Sequence, residues 1–155
     1  MNESEWLAGE MEKALNGGAW HGPSWREVLA GATRPAALHR PIADAHTIAE
    51  IVLHTTTWHD VVRRRLEGET PEVSDDEDWP AVNLPGEEAW STAVGRCFET
   101  GRALCEKVRR FPAGRLHDRR PNGEGTWFEL IIGELQHVLY HAGQIAVLRK
   151  AAGPA

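Results

Sequence analysis

No apolar run in this chain approaches the roughly 20 residues that a membrane-spanning helix needs, so the sequence offers no bilayer segment. A basic surplus is missing too: 17 Lys and Arg stand against 23 Asp and Glu, a formal charge of −6. Nucleic acids and anionic membranes both select clustered positive charge, so neither is an expected partner. The one basic run, Arg63-Arg64-Arg65, falls late in an expected helix with Glu67 and Glu69 close behind it. It reads as a solvated face, with cations opposing the negative end of the helix dipole. Cysteine is scarce. Cys97 and Cys105 sit in neither a Cys-x-x-Cys nor a Cys-His spacing, which argues against a disulfide framework or a thiolate zinc site and leaves ordinary buried thiols. The opening Met-Asn-Glu-Ser-Glu is acidic where a secretory signal would be basic and then apolar, so a cytoplasmic protein is expected. Strand signals are weak, because short alternating runs such as Ala81 to Leu84 are hemmed in by Pro and charge.

What the chain does have is helix punctuation. A first helical pattern covers about Glu3 to Leu15 and stops at Asn16-Gly17-Gly18. Ser24-x-x-Glu27 is a capping box opening a short helix to about Ala30, and Pro35 and Pro41 are expected to hold the next stretch extended. Asp44 is the expected cap of a second long helix, which turns Ile48, Ile51, Val52, Trp58, Val61 and Val62 inward and ends near Gly68. An acidic loop from Glu69 to about Pro85 follows, then a third helix from about Gly86 to Arg110, ended by Phe111-Pro112-Ala113-Gly114. After the loop from Arg115 to Gly125, the capping box Thr126-x-x-Glu129 opens a last helix reaching about Ala152. The 155 residues suffice for one shared core. The expectation is an all-α four-helix bundle in one domain, 1–155, with a short extra helix in the first connection and a topology other than simple up-down-up-down.

The last helix carries the chemistry. His137 and His141 are four residues apart, and an α-helix projects such a pair from one face, so their nitrogens can converge on one cation. Leu130, Glu134, His137, His141, Ile145 and Leu148 form a stripe at spacings of three and four, the face a bundle helix buries. A stable metal site needs a third ligand. His54, mid-way along the second helix, is placed to supply it; His46 lies too near that helix's start, His59 on another face, and His21, His39 and His117 in or near loops. The pattern lacks the His-Glu-x-x-His of zinc proteases, so no general base stands between the paired histidines.

These residues resemble a known family. Ile48-Ala49-Glu50-Ile51-Val52-Leu53-His54, with Trp58 and Arg65-Leu66-Glu67-Gly68-Glu69 after it, is similar to the second helix of the DinB-like bundle proteins. His137-Val138-Leu139-Tyr140-His141-Ala142-Gly143-Gln144-Ile145 resembles their final helix, and Trp20-His21-Gly22-Pro23-Ser24 a loop some members carry. The resemblance implies up-down-down-up connectivity, a homodimer, and one divalent metal held by His54, His137 and His141. It also implies a choice of reactions: thiol-dependent transfer or isomerisation through a small-molecule thiol, or hydrolysis.

Three imidazoles with an open coordination position make a catalytic type of site for one divalent transition metal. The ligand set suits Zn, Ni, Fe or Cu alike, and Zn or Ni is the expectation. A small-molecule substrate is expected, with a low-molecular-weight thiol as the co-reactant the resemblance implies. The alternative is a non-catalytic metal sensor or a structural bundle. A phosphotransfer bundle fits less well, since it would expose its histidine on a polar face. Glu134 and Glu50, each one turn before a histidine, either assist a ligand or are partly buried carboxylates bonded elsewhere. Gln144 is expected to brace helix packing, and Tyr140 to be a packing residue. Of seven tryptophans, Trp58 and Trp127 are candidates to line a pocket, and Trp6, Trp25 and Trp90 to anchor the core or an interface.

Overall fold

The computed structural model describes residues 1–153, and among them it contains seven α-helices and no strand. Four are long: α1 (Glu3–Asn16), α4 (Ile48–Leu66), α6 (Glu87–Arg110) and α7 (Trp127–Ala151). Three are short: α2 (Trp25–Leu29), α3 (Arg34–Leu38) and α5 (Asp75–Asp78). No helix among the described residues is long and apolar enough to cross a membrane.

Local chemistry sets the boundaries. In α1, α2, α4 and α7 a polar cap and a Glu three residues on exchange hydrogen bonds: Asn2 with Glu5, Ser24 with Glu27, Thr47 with Glu50, Thr126 with Glu129. Each such cap contributes about 1 kcal/mol by satisfying amides the helix leaves free. The second long helix therefore starts at Ile48 behind Thr47, not behind Asp44 as expected, because Thr47-x-x-Glu50 closes the reciprocal pair. Pro35 does not extend the chain either. It lies in the first turn of α3, where its fixed φ suits a helix and its missing N–H costs nothing.

The long helices enclose one apolar core to which Leu7, Met11, Leu15, Ile51, Val52, Leu104, Ile131 and Ile145 contribute. α4 and α1 each pack against both α6 and α7. Leu15 abuts Gly101 while Glu12 pairs with Arg109, and His59 faces Cys97 while Glu67 meets Lys107. Short helix α2 drives the fully buried Trp25 between α1 and α7, where its indole N–H donates to the carbonyl of Val138 (2.8 Å). That bond falls between His137 and His141, so the extra helix helps to fix the segment of α7 bearing the paired histidines. Cys97 and Cys105 are buried and free, and Arg63 and Arg64 pair with Asp60, Glu67 and Glu69 on the surface, both as expected.

Candidate metal centre

His54 of α4 and His137 and His141 of α7 come together, with the Nε2 of His137 lying 2.8 Å from that of His54 and 2.9 Å from that of His141. The three form one cluster with metal-ligating donor atoms within 4.8 Å of one another. His54 and His141 are buried and His137 half-buried.

The far side of each ring decides what the near side can do. Nδ1 of His54 sits 2.7 Å from the carbonyl oxygen of Asp78, which can only accept, so this nitrogen carries the proton. Nδ1 of His141 is 2.6 Å from Oε1 of Gln144 and is protonated for the same reason. Nδ1 of His137 faces the carboxylate of Glu134 at 3.4 Å. Nε2 of His54 and Nε2 of His141 are thereby left with lone pairs, and both lie beside Nε2 of His137, a crowding of nitrogen donors that a cation among them would relieve. Imidazole nitrogens bound to a tetrahedral zinc are about 3.3 Å apart, given bonds of about 2.0–2.1 Å, within a few tenths of an ångström of the 2.8 and 2.9 Å that separate His137 from His54 and His141. The donor set fits a divalent transition metal. Burial, and next the charge of His137, push the pKa of His141 down to about 4; burial chiefly lowers that of His54. Both imidazoles are thus kept in the neutral form a metal requires.

The cluster opens into a cleft of about 980 Å³ walled by Trp58, Trp79, Phe128, Ile132, Tyr140 and, at the far end, Arg120. Helix α5, in what the sequence suggests is plain loop, brings two residues that sequence reasoning missed. Asp78 accepts from the Trp58 indole (2.6 Å) as well as from His54, and Trp79 stacks on His54 at 3.9 Å with His46 on its other face at 3.5 Å. The available signal was faint: a Ser-x-x-Glu box at 74–77 just before Asp78-Trp79.

Other expectations need correction. Trp127 does not line this cleft; it packs on Phe111 across the bundle, because its position on α7 points away from the histidine stripe. Of the tryptophans expected to anchor the core or an interface, Trp25 and Trp90 are buried in the core and Trp6 is 46% exposed. Glu50 does not touch His54, being held by the Thr47 cap and Arg40. Gln144 does more than brace helices, since it fixes the proton of His141, and Tyr140, 64% exposed, accepts from the Gln144 amide at the cleft rim instead of packing inside. His59 lies off the ligand face as expected but is wholly buried beneath it, 3.8 Å from Glu134.

A helical bundle with a three-histidine cluster at the base of an open cleft defines the class: an all-α scaffold suited to a mononuclear metal. The sequence profile of the DinB superfamily matches residues 20–145, and the chain belongs to that superfamily. No curated protein and no solved structure matches it.

Proposed function

We propose that this protein is a metal-dependent enzyme acting on a small apolar or aromatic molecule, of the thiol S-transferase or hydrolase type, with His54, His137 and His141 as ligands of one zinc or nickel ion. The observation that carries the reading is the convergence of three histidine Nε2 atoms in a cleft large enough for a small molecule. A divalent metal there supplies Lewis-acid chemistry, lowering the pKa of a bound water or stabilising a substrate thiolate. The chain does the rest: Asp78 and Gln144 hold the ring protons of His54 and His141 outward, Trp79 shields one face of His54 from water, and Trp58, Phe128 and Ile132 offer apolar walls to a substrate.

The protein's own thiols do not serve as the sulfur nucleophile. Burial pushes both Cys97 and Cys105 up to about 12, so the sulfur of a transfer reaction would come from a low-molecular-weight thiol. An open cleft above the histidines favours catalysis over the sensor or structural alternative, which needs no access for a substrate. The connectivity is read as up-down-down-up. In support, the contacts of His59 with Cys97 and Glu67 with Lys107 advance the same way along α4 and α6. Those of Glu12 with Arg109 and Leu15 with Gly101 run in opposite senses along α1 and α6, as do those of α4 with α7.

The test is a screen of the zinc- or nickel-loaded protein with an electrophilic aromatic substrate, with and without glutathione, cysteine and 2-mercaptoethanol, beside an activated aryl ester. Turnover that needs both metal and thiol supports the transferase, and thiol-independent ester cleavage the hydrolase. No metal-dependent turnover of either kind, from protein shown to hold metal, would favour the sensor alternative.

A further inference from the structure

We propose that Glu134 is a positioning residue for the histidine cluster: its buried carboxylate holds the Nδ1 proton of His137 and supplies the negative charge that a cation among His54, His137 and His141 balances. This inference rests on the metal reading and goes beyond it, because it assigns a task to a residue that does not ligate.

Glu134 is only 4% exposed, on the inward face of α7 one turn before His137. A carboxylate in such a place normally owns hydrogen bonds or a cationic partner, since an unpaired buried charge costs several kcal/mol. Here Oε2 faces Nδ1 of His137 at 3.4 Å, and Oε1 faces Nε2 of His59 at 3.8 Å. Among the described residues Oε1 has no hydrogen-bond partner, nor have Nε2 of His59 and Nδ1 of His137. Among the described residues its ion-pair partners are His59 and His137, and no Lys or Arg is paired with this carboxylate. His59 does not supply the missing charge: it is fully buried, and burial, ahead of the opposing pull of Glu134, lowers its pKa.

The metal-free protein therefore carries a buried acid between two imidazole rings, with loose contacts on both sides. A cation on the other side of the His137 ring resolves the conflict. A bound cation would make the Nδ1–H of His137 a stronger donor to Glu134 and would give that carboxylate an opposite charge one imidazole away. Metal-bound histidines commonly donate their second N–H to a carboxylate in this way, and such partners typically govern 10- to 100-fold in metal affinity. Glu134 is then poor for the empty fold and good for the loaded one, an opposition that a purely structural residue does not show.

The experiment compares the full chain with Glu134→Gln, which keeps shape and an acceptor but loses the charge, and Glu134→Met, which loses both. Zn²⁺ affinity is measured by competition with a chelator, and thermal unfolding is followed on the metal-free proteins. The expected result is a loss of about 10- to 100-fold in Zn²⁺ affinity for Gln and a larger loss for Met, while metal-free Met unfolds no lower than the parent. Affinity within about threefold of the parent in the Gln variant overturns the proposal, and does so even if the Met variant does not fold. Metal-free Met that is markedly less stable than the parent while keeping its affinity overturns it as well. A parent chain that takes up no Zn²⁺ or Ni²⁺ defeats the metal reading and this inference together, an outcome distinct from equal binding by parent and variants.

Discussion

Three histidines in this protein, His54, His59 and His141, have pKa values lowered chiefly by burial, His141 to about 4. In the unfolded chain each returns to about 6.5. Between those limits the unfolded state binds more protons than the folded one, so stability falls as pH drops through the window. Metal-free protein is thus expected to show a flat Tm above about pH 7 and a steady decline from about pH 6.5 toward 4. The upper part of that decline, above pH 5, belongs to the histidines, because carboxylates such as Glu129, lowered by backbone hydrogen bonding to Thr126, act nearer their ordinary value of 4.5 and below. Calorimetry on chelator-treated protein checks it, and a Tm that holds constant from pH 7 to 5 would contradict the burial of these rings. At this scale the sequence revealed the histidines but not their surroundings. His137 and His141 share a helix, so their spacing is itself geometry. Asp78 and Trp79 reach the site through tertiary folding of the 69–85 connection, and the one local signal near them, the Ser74-x-x-Glu77 box, marks a helix start and not a site.

Among the helices, the close approach of α6 to α1 and α4 depends on Gly101. A Cβ placed there would lie 2.9 Å from Cδ1 of Leu15 and 3.0 Å from Cε1 of His59, both in buried side chains. Overpacking of this kind costs about 1–3 kcal/mol, and the better helix propensity of Ala returns at most about 1 kcal/mol. Gly101→Ala is therefore expected to be destabilising by up to about 3 kcal/mol, with a fall in Tm of roughly 2–4 °C per kcal/mol for a chain of this size. A Tm above the parent's would show that α6 does not sit this close. The element scale was the most legible. Ser24-x-x-Glu27 and Thr126-x-x-Glu129 open α2 and α7 where the sequence puts them, because a capping box is a local hydrogen-bond exchange. Asp44 misled because several residues near a helix start can cap in principle, and only the reciprocal partner Glu50 selects Thr47. The four-residue α5 lay below what periodicity can detect, since one turn has no repeat.

For the molecule as a whole, the bundle turns residues 83 positions apart in the chain, His54 and His137, into neighbours at 2.8 Å. It buries the outer edges of the rings against Asp78, Gln144 and Glu134 and leaves the Nε2 side toward a cleft. That a third histidine would come from the middle of α4 to join the pair was legible in the sequence because an i,i+4 pair on an inward face needs a partner at matching depth. The cleft was not legible, being the product of four elements meeting. All of this turns on one claim, that the convergent nitrogens hold an ion. The direct measurement is metal content per chain after loading with Zn²⁺ or Ni²⁺ and gel filtration, for the parent and for His141→Ala. The account predicts about one ion per chain in the parent and less than about a tenth in the variant, since two imidazoles do not make a stable site. Equal stoichiometric metal in both proteins would contradict it.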